Sequence, residues 1–287
     1  MKQSIASTVV LTIVTFLSPV VWAQDGTLPA PQIKTRAVAP PPDATHWTYE
    51  GEKGPRFWGK LDPEFSLCAD GHSQSPIDIA RTYPASLPKL RAKFSPSELR
   101  IVHHEHVADE INNGHTIQVN YSEGATLTIG DSNFELIQFH FHAPSEHTVK
   151  GKHYPMEMHY VLRSPSGALA VVGVFIEQGA HNAAFDPIWS NLPTKKGEES
   201  HFEHIQVNVD DFLPHNNKGL SYRYDGSLTT PPCSEGVKWM VLKTPIQLSA
   251  EQIGRFTAIV KGNNRPVQPL HHRVIVTDAV TEDVMAR

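Results

Sequence analysis

The sequence NFELIQFHFH (residues 133–142), followed by APSEHTVKGKHYP (143–155) and MEMHYVL (156–162), decides the reading of this chain. Its two outer segments alternate with period two, which is the signature of strands. In the first, Gln138, His140 and His142 share a face, while Ile137, Phe139 and Phe141 share the other. In the second, Glu157, His159 and Val161 share a face, and Met156, Met158, Tyr160 and Leu162 point away. The intervening loop carries Ala143-Pro144 and Lys150-Gly151, so the two strands are expected to pair antiparallel with their polar faces aligned. Three imidazoles would then converge over one patch of sheet, backed by an apolar layer.

That constellation suits zinc. Zn²⁺ accepts neutral imidazole nitrogens, and three protein ligands leave a fourth tetrahedral position open, as in catalytic sites. Gln138 and Glu157 each stand two residues before a histidine on the same face. Each offers an oxygen to a ring N–H that a ligand histidine must place somewhere. The chain holds 17 histidines in 287 residues, so one H-x-H pair is expected by chance and His140/His142 alone would mean little. His104 and His106 form a second such pair in HHEH, without apolar alternation, and read as solvated surface. The competing reading of His140, His142 and His159 is three hydrogen-bonded histidines on a half-buried sheet.

Outside this stretch the chain divides simply. Residues 1–23 have Lys2, an apolar run from Val9 to Val21 and the ending Val21-Trp22-Ala23, the pattern of a cleaved secretory signal; an N-terminal anchor is the alternative, but the run is short for a span. Residues 24–43 are rich in Pro, Ala and Thr and read as a leader without a core. Residues 44–280 are expected to form one domain, with 281–287 as a tail. Formal net charge is −5, and no basic stripe suggests nucleic acid. Cys68 and Cys233 are the two cysteines; in an exported protein they are expected to pair, with two buried thiols as the alternative.

Strands are expected at 99–103, 115–121, 125–129, 134–142, 156–163, 168–177, 203–207, 222–224, 236–243 and 273–277. Helices are expected at 182–190 and 249–261, the latter with Ser249 as N-cap and Gly262 past its end. This predicts an α+β domain built on a large, mostly antiparallel, twisted central sheet with a few short helices.

Several motifs taken together carry a resemblance. QFHFH (138–142), PSEH (144–147), EMHYV (157–161), NNGH (112–115) and SLTTPP (227–232), with HWTY (46–49), SQSPIDI (73–79), WMVL (239–242) and NRPVQPL (264–270), resemble the α-class carbonic anhydrases, in order, from about residue 45 to 277. The signal and the cysteine pair resemble the exported bacterial branch, as does Ala143 where animal members often have Trp.

The resemblance implies a zinc enzyme that hydrates CO2 reversibly to bicarbonate and a proton through zinc-bound hydroxide, with weak esterase side activity. It implies one Zn²⁺ on His140, His142 and His159, with Gln138, Glu157 and the Asn263 carbonyl accepting from the three rings. Thr229 matches a hydroxyl set between the reacting oxygen and Glu146. Val161, Val171, Leu228, Val237 and Trp239 match the apolar wall for CO2, although by sequence alone each reads as core. His115 matches a proton shuttle at the pocket mouth, with Tyr49, Asn113, Gln118 and Thr230 ordering water; Gln118 departs from the Asn of several animal members. Further implications are cis bonds at Ser75-Pro76 and Pro231-Pro232, inhibition by anions and sulfonamides, a periplasmic or secreted location, and a possible homodimer. A binding-only relative and an ester-specialised zinc hydrolase are the competing function classes.

Overall fold

The computed structural model describes residues 46–94, 96–102, 115–121, 124–195, 197, 199–214 and 220–279. The stretches read as signal and leader, the tail, Asn113 and the histidines of the HHEH sequence at 103–106 lie outside the described residues.

A thirteen-stranded sheet dominates the described residues. Its main path runs Glu199–Val207, Ser97–Val102, Gln118–Asn120, Ser132–His142, Met156–Arg163, Leu169–Gln178, Glu235–Leu242, Ser221–Ser227, Val276–Asp278 and Tyr83–Ala85. Most neighbours are antiparallel. Leu169–Gln178 runs parallel to Glu235–Leu242 and to Ile246–Leu248, and Val276–Asp278 runs parallel to Tyr83–Ala85. The α+β, mostly antiparallel expectation therefore holds.

The central strands are where the alternation was strongest. Ser132–His142 and Met156–Arg163 pair antiparallel with His159 opposite His140, Glu157 opposite His142 and Val161 opposite Gln138. The register shifts by one residue between Val161 and Leu162. Behind this face, Phe139, Phe141, Met158, Tyr160 and Leu162 join a large core that includes Trp189, Phe212 and Phe256. On the histidine side, Val161, Val171, Val237 and Trp239 form a second apolar cluster. With both faces covered, Leu169–Gln178 is buried along most of its length, which is why it reads as a continuous run of Val, Ala and Phe.

Local structure departs from expectation where signals are short. Of the expected strand 115–121, only Gln118–Asn120 pairs as strand. The expected helix 182–190 is a 3₁₀ turn, Ala183–Phe185, and one α-turn, Asp186–Trp189; Pro187 suits the first turn but would break a helix interior. The expected strand 273–277 forms only at Val276–Asp278. The expected helix 249–261 forms as Ala250–Ile259, with Ser249 and Gln252 completing a reciprocal capping box.

Cys68 and Cys233 are disulfide-bonded, with Cα atoms 5.1 Å apart. The Ser75-Pro76 and Pro231-Pro232 bonds are cis, as is Ala143-Pro144. Among the described residues no helix is long and apolar enough to cross a membrane.

Candidate active site

The antiparallel register brings His140, His142 and His159 together, all buried, with one potential ligand nitrogen from each within 4.8 Å of the others. Every ring also donates to an oxygen. His140 Nδ1 donates to Gln138 Oε1 (2.8 Å), His142 Nδ1 to the Asn263 carbonyl (2.6 Å) and His159 Nε2 to Glu157 Oε1 (2.9 Å). These bonds fix the tautomers and leave Nε2 of His140, Nε2 of His142 and Nδ1 of His159 as the nitrogens able to ligate. Three neutral imidazoles so arranged fit a zinc ion.

Burial shapes the charge states. It pushes His142 down to about 3, with the neighbouring His159 adding to the effect and the Asn263 carbonyl opposing it. His159 is also lowered by burial, against the pull of Glu157. Burial alone would raise Glu157, but His147 and His159 outweigh it and hold that carboxyl well below the usual range. Glu146 is raised well above the usual range by burial, against the Arg265 backbone N–H and the Thr229 hydroxyl.

Glu146 sits at the centre of the loop contacts. Its Oε1 accepts the Arg265 backbone N–H (2.8 Å), and its Oε2 lies 3.5 Å from His142 Nε2 and 3.9 Å from His159 Nδ1. The Arg265 guanidinium is buried and donates to the carbonyls of Cys68 and Ser75 and to Gln74 Oε1. One cation thus ties the disulfide, the Ser75-Pro76 turn and the Glu146 loop together. The Thr229 loop is closed by Cys233 N–H donating to the Thr230 carbonyl (2.8 Å).

His140, His159, Val161, Val171, Leu228, Thr229, Thr230 and Trp239 line a cavity of ≈ 10 Å³, room for about one water-sized group. Val237 is buried in the same apolar cluster. Gln118 faces His140 in register and donates to Asn120 Oδ1 (2.6 Å).

His115 is buried against aromatic rings. It is only 6% exposed, with its ring centroid 3.6 Å from that of Trp47 and 5.4 Å from that of Tyr49. Trp47 and Tyr49 pack edge-on against each other and against Trp58.

Sequence reasoning singled out Ser145-Glu146-His147 but gave His147 no role. The structure gives it two: His147 Nδ1 bonds to Glu157 Oε1 (2.7 Å), and Nε2 to the Tyr224 hydroxyl (2.6 Å). Its place directly after Glu146 was the available signal. Nothing in the sequence pointed to Tyr224 or to the Arg265 guanidinium.

The model of the eukaryotic-type carbonic anhydrase family matches residues 53–279. A carbonic anhydrase of Pectobacterium carotovorum is 43% identical over 236 residues, spanning 82% of this chain and 91% of the relative. The α-carbonic anhydrase of Thermovibrio ammonificans, solved with the inhibitor sulfanilamide, superposes with a TM-score of 0.75 at 41% identity, covering 81% of this chain and 99% of that one. A hyperthermostable carbonic anhydrase from an active hydrothermal vent chimney gives a TM-score of 0.75 at 45% identity, covering 82% and 100%. With the three-histidine site built on the expected register, this chain belongs to the α-carbonic anhydrase family.

Proposed function

We propose that the chain hydrates CO2 reversibly to bicarbonate and a proton, using one zinc ion held by His140, His142 and His159. The observation that carries this reading is the histidine triad, each ring aimed by an oxygen acceptor on its other nitrogen. Zinc supplies Lewis acidity that brings the deprotonation of water into the neutral range, chemistry for which carbonic anhydrase is itself the type example.

The chain's own residues do the rest. Gln138, Glu157 and the Asn263 carbonyl orient the imidazoles. The Thr229 hydroxyl, held against Glu146, turns an oxygen lone pair toward the reacting centre. Glu146 is raised by burial in the metal-free chain; positive charge in the pocket brings it back toward the acceptor form. Val161, Val171, Leu228, Val237 and Trp239 offer CO2 a dry wall, which suits an apolar substrate better than the charged product. His115 receives the released proton, and Tyr49, Gln118 and Thr230 order the intervening water, together with Asn113 from outside the described residues.

The same site would turn over activated esters weakly. Sulfonamides and small anions would compete at it, as the sulfanilamide complex of the Thermovibrio ammonificans relative supports. Residues 1–23 as a secretory signal, ahead of a leader at 24–43 and a catalytic domain at 44–280, fit a periplasmic or secreted protein whose disulfide persists. A homodimer is the proposed assembly. The deciding experiment compares CO2 hydration with p-nitrophenyl acetate hydrolysis on one zinc-loaded preparation. CO2 turnover should dominate by orders of magnitude; ester turnover equal to or above it would favour the ester-specialised reading.

A further inference from the structure

We propose that His72 and His271 form a metal site of their own at the surface, which takes one divalent cation of the copper and zinc class and holds Cu²⁺ more tightly than Zn²⁺.

The two residues come from opposite ends of the domain sequence, yet their rings meet, with centroids 5.3 Å apart and planes at 76°. The buried triad supplies a scale for that geometry. Its three ring pairs have centroids 5.0, 5.3 and 4.6 Å apart, with planes at 75°, 86° and 49°. His72 and His271 therefore stand at the separation and tilt of two imidazoles able to share one ion. Both side chains are exposed, so they can adjust to the ion and water can complete its coordination shell.

The backbone on each side supports the pairing. His72 lies in the turn after the helix Leu67–Asp70. Glu235 Oε1 accepts the Ser73 N–H (2.6 Å) and the Gln74 side-chain amide (3.0 Å), which sets a carboxylate against that turn. Burial alone would raise Glu235, but the Gln74 amide, the Ser73 N–H, Arg273 and the His72 N–H outweigh it and hold the carboxyl below the usual range. A fixed negative charge thus stands beside the pair. Arg273 is the opposing charge, and its guanidinium is engaged with the carbonyls of Leu270, Pro269 and Asp225.

His271 sits in a turn closed by the Arg273 N–H on the Leu270 carbonyl (3.1 Å), with φ 51. That left-handed backbone favours glycine and is uncommon for other residues. A costly local conformation points to a use for the side chain that is kept there. Here the conformation holds an imidazole against His72 at a position where glycine would be unstrained. Imidazole nitrogens suit Zn²⁺, Cu²⁺ and Ni²⁺, and in the first-row series Cu²⁺ binds a given nitrogen site most tightly. With two protein nitrogens and an exposed face, the site would exchange its ion with solvent, unlike the buried triad.

The test titrates Cu²⁺ into the intact chain with its triad filled by zinc and follows the electron paramagnetic resonance of Cu²⁺. The parent chain should take up one Cu²⁺ coupled to two imidazole nitrogens, with its zinc retained. His72→Ala and His271→Asn should each weaken this uptake tenfold or more; asparagine tolerates the left-handed backbone, so the turn is kept. His272→Ala removes the neighbouring exposed imidazole and should leave uptake within twofold of the parent. Uptake only by displacing zinc, no uptake at all, or affinities within twofold of the parent in His72→Ala and His271→Asn would overturn the site. An equal loss in His272→Ala would overturn it too, as the mark of unselective binding to surface histidines.

Discussion

His142 and Asn263 stand 121 residues apart in sequence and meet at 2.6 Å, the imidazole Nδ1–H donating to the asparagine backbone carbonyl. The Asn263 side chain holds that carbonyl in place from the same strand end. Its Oδ1 accepts the Ala143 N–H (2.8 Å), and its Nδ2 donates to the Phe141 carbonyl (2.8 Å). The C-terminal segment is thereby stapled to both sides of His142.

Asn263→Ala should therefore destabilise the chain by ~1–3 kcal/mol, the cost of a buried N–H left without a partner at Ala143. The Phe141 carbonyl keeps a second donor, the Thr116 hydroxyl at 2.6 Å, and adds little. Urea unfolding reads the difference directly. An unchanged midpoint would mean that the Asn263 side chain bears no such load.

The buried histidines give their part of the metal-free chain's pH dependence a definite sign. Burial lowers His142 to about 3 and lowers His159 as well, whereas an unfolded imidazole titrates near 6.5. Below about 6.5 the unfolded chain binds more protons than the folded one. Stability is thus fully present above that pH and falls as pH drops from about 6.5 toward 3. Glu146, raised by burial, acts in the opposite sense over this range; with Glu146 replaced by Gln, melting of the zinc-stripped chain between pH 8 and pH 5 should show this decline, and a flat profile would contradict the buried, neutral histidines.

Much of this site was legible before the structure. Strict alternation around His140, His142 and His159 placed three side chains on one face, because a strand repeats every two residues and the register leaves no other arrangement. Gln138 and Glu157 followed from the same count. Asn263 did not: a backbone carbonyl has no sequence signature, and only the family resemblance named it. Val161 and Val171 look like any core valine, since an apolar wall and a core are made of the same residues. Among the strands, Tyr83–Ala85 and Ile246–Leu248 are three residues each, too short for a period to register. Tyr224 and Arg265 act through partners distant in sequence, Ser75 and His147 for one and Cys68 and Ser75 for the other, and such contacts leave no local pattern.

The disulfide ties Cys68 to the residue that closes the Thr229-Thr230-Pro231-Pro232 loop. Cys68→Ala with Cys233→Ala, or full reduction, should cost about 2–5 kcal/mol. The same change should lower CO2 turnover, because Thr229 loses its tether. Unfolding and hydration assays on reduced and oxidised chains check both parts; equal turnover in the two forms would show that the loop holds without the bond.

His115→Ala should lower kcat by about one to two orders of magnitude in weak buffer and leave kcat/KM for CO2 nearly unchanged, since proton release follows the attack on carbon. Added imidazole should restore kcat in proportion to its concentration. An unaffected kcat at low buffer would remove His115 from the relay.

The central claim is that three histidines hold one zinc and that CO2 hydration depends on it. Metal content and CO2 hydration, measured together on the parent chain and on His159→Ala, test it most directly. The account predicts one zinc per chain with full activity in the parent, and loss of both in the variant, because two imidazoles cannot hold the ion against water with comparable affinity. Stoichiometric zinc in His159→Ala, or CO2 hydration in a parent chain free of zinc, would contradict it.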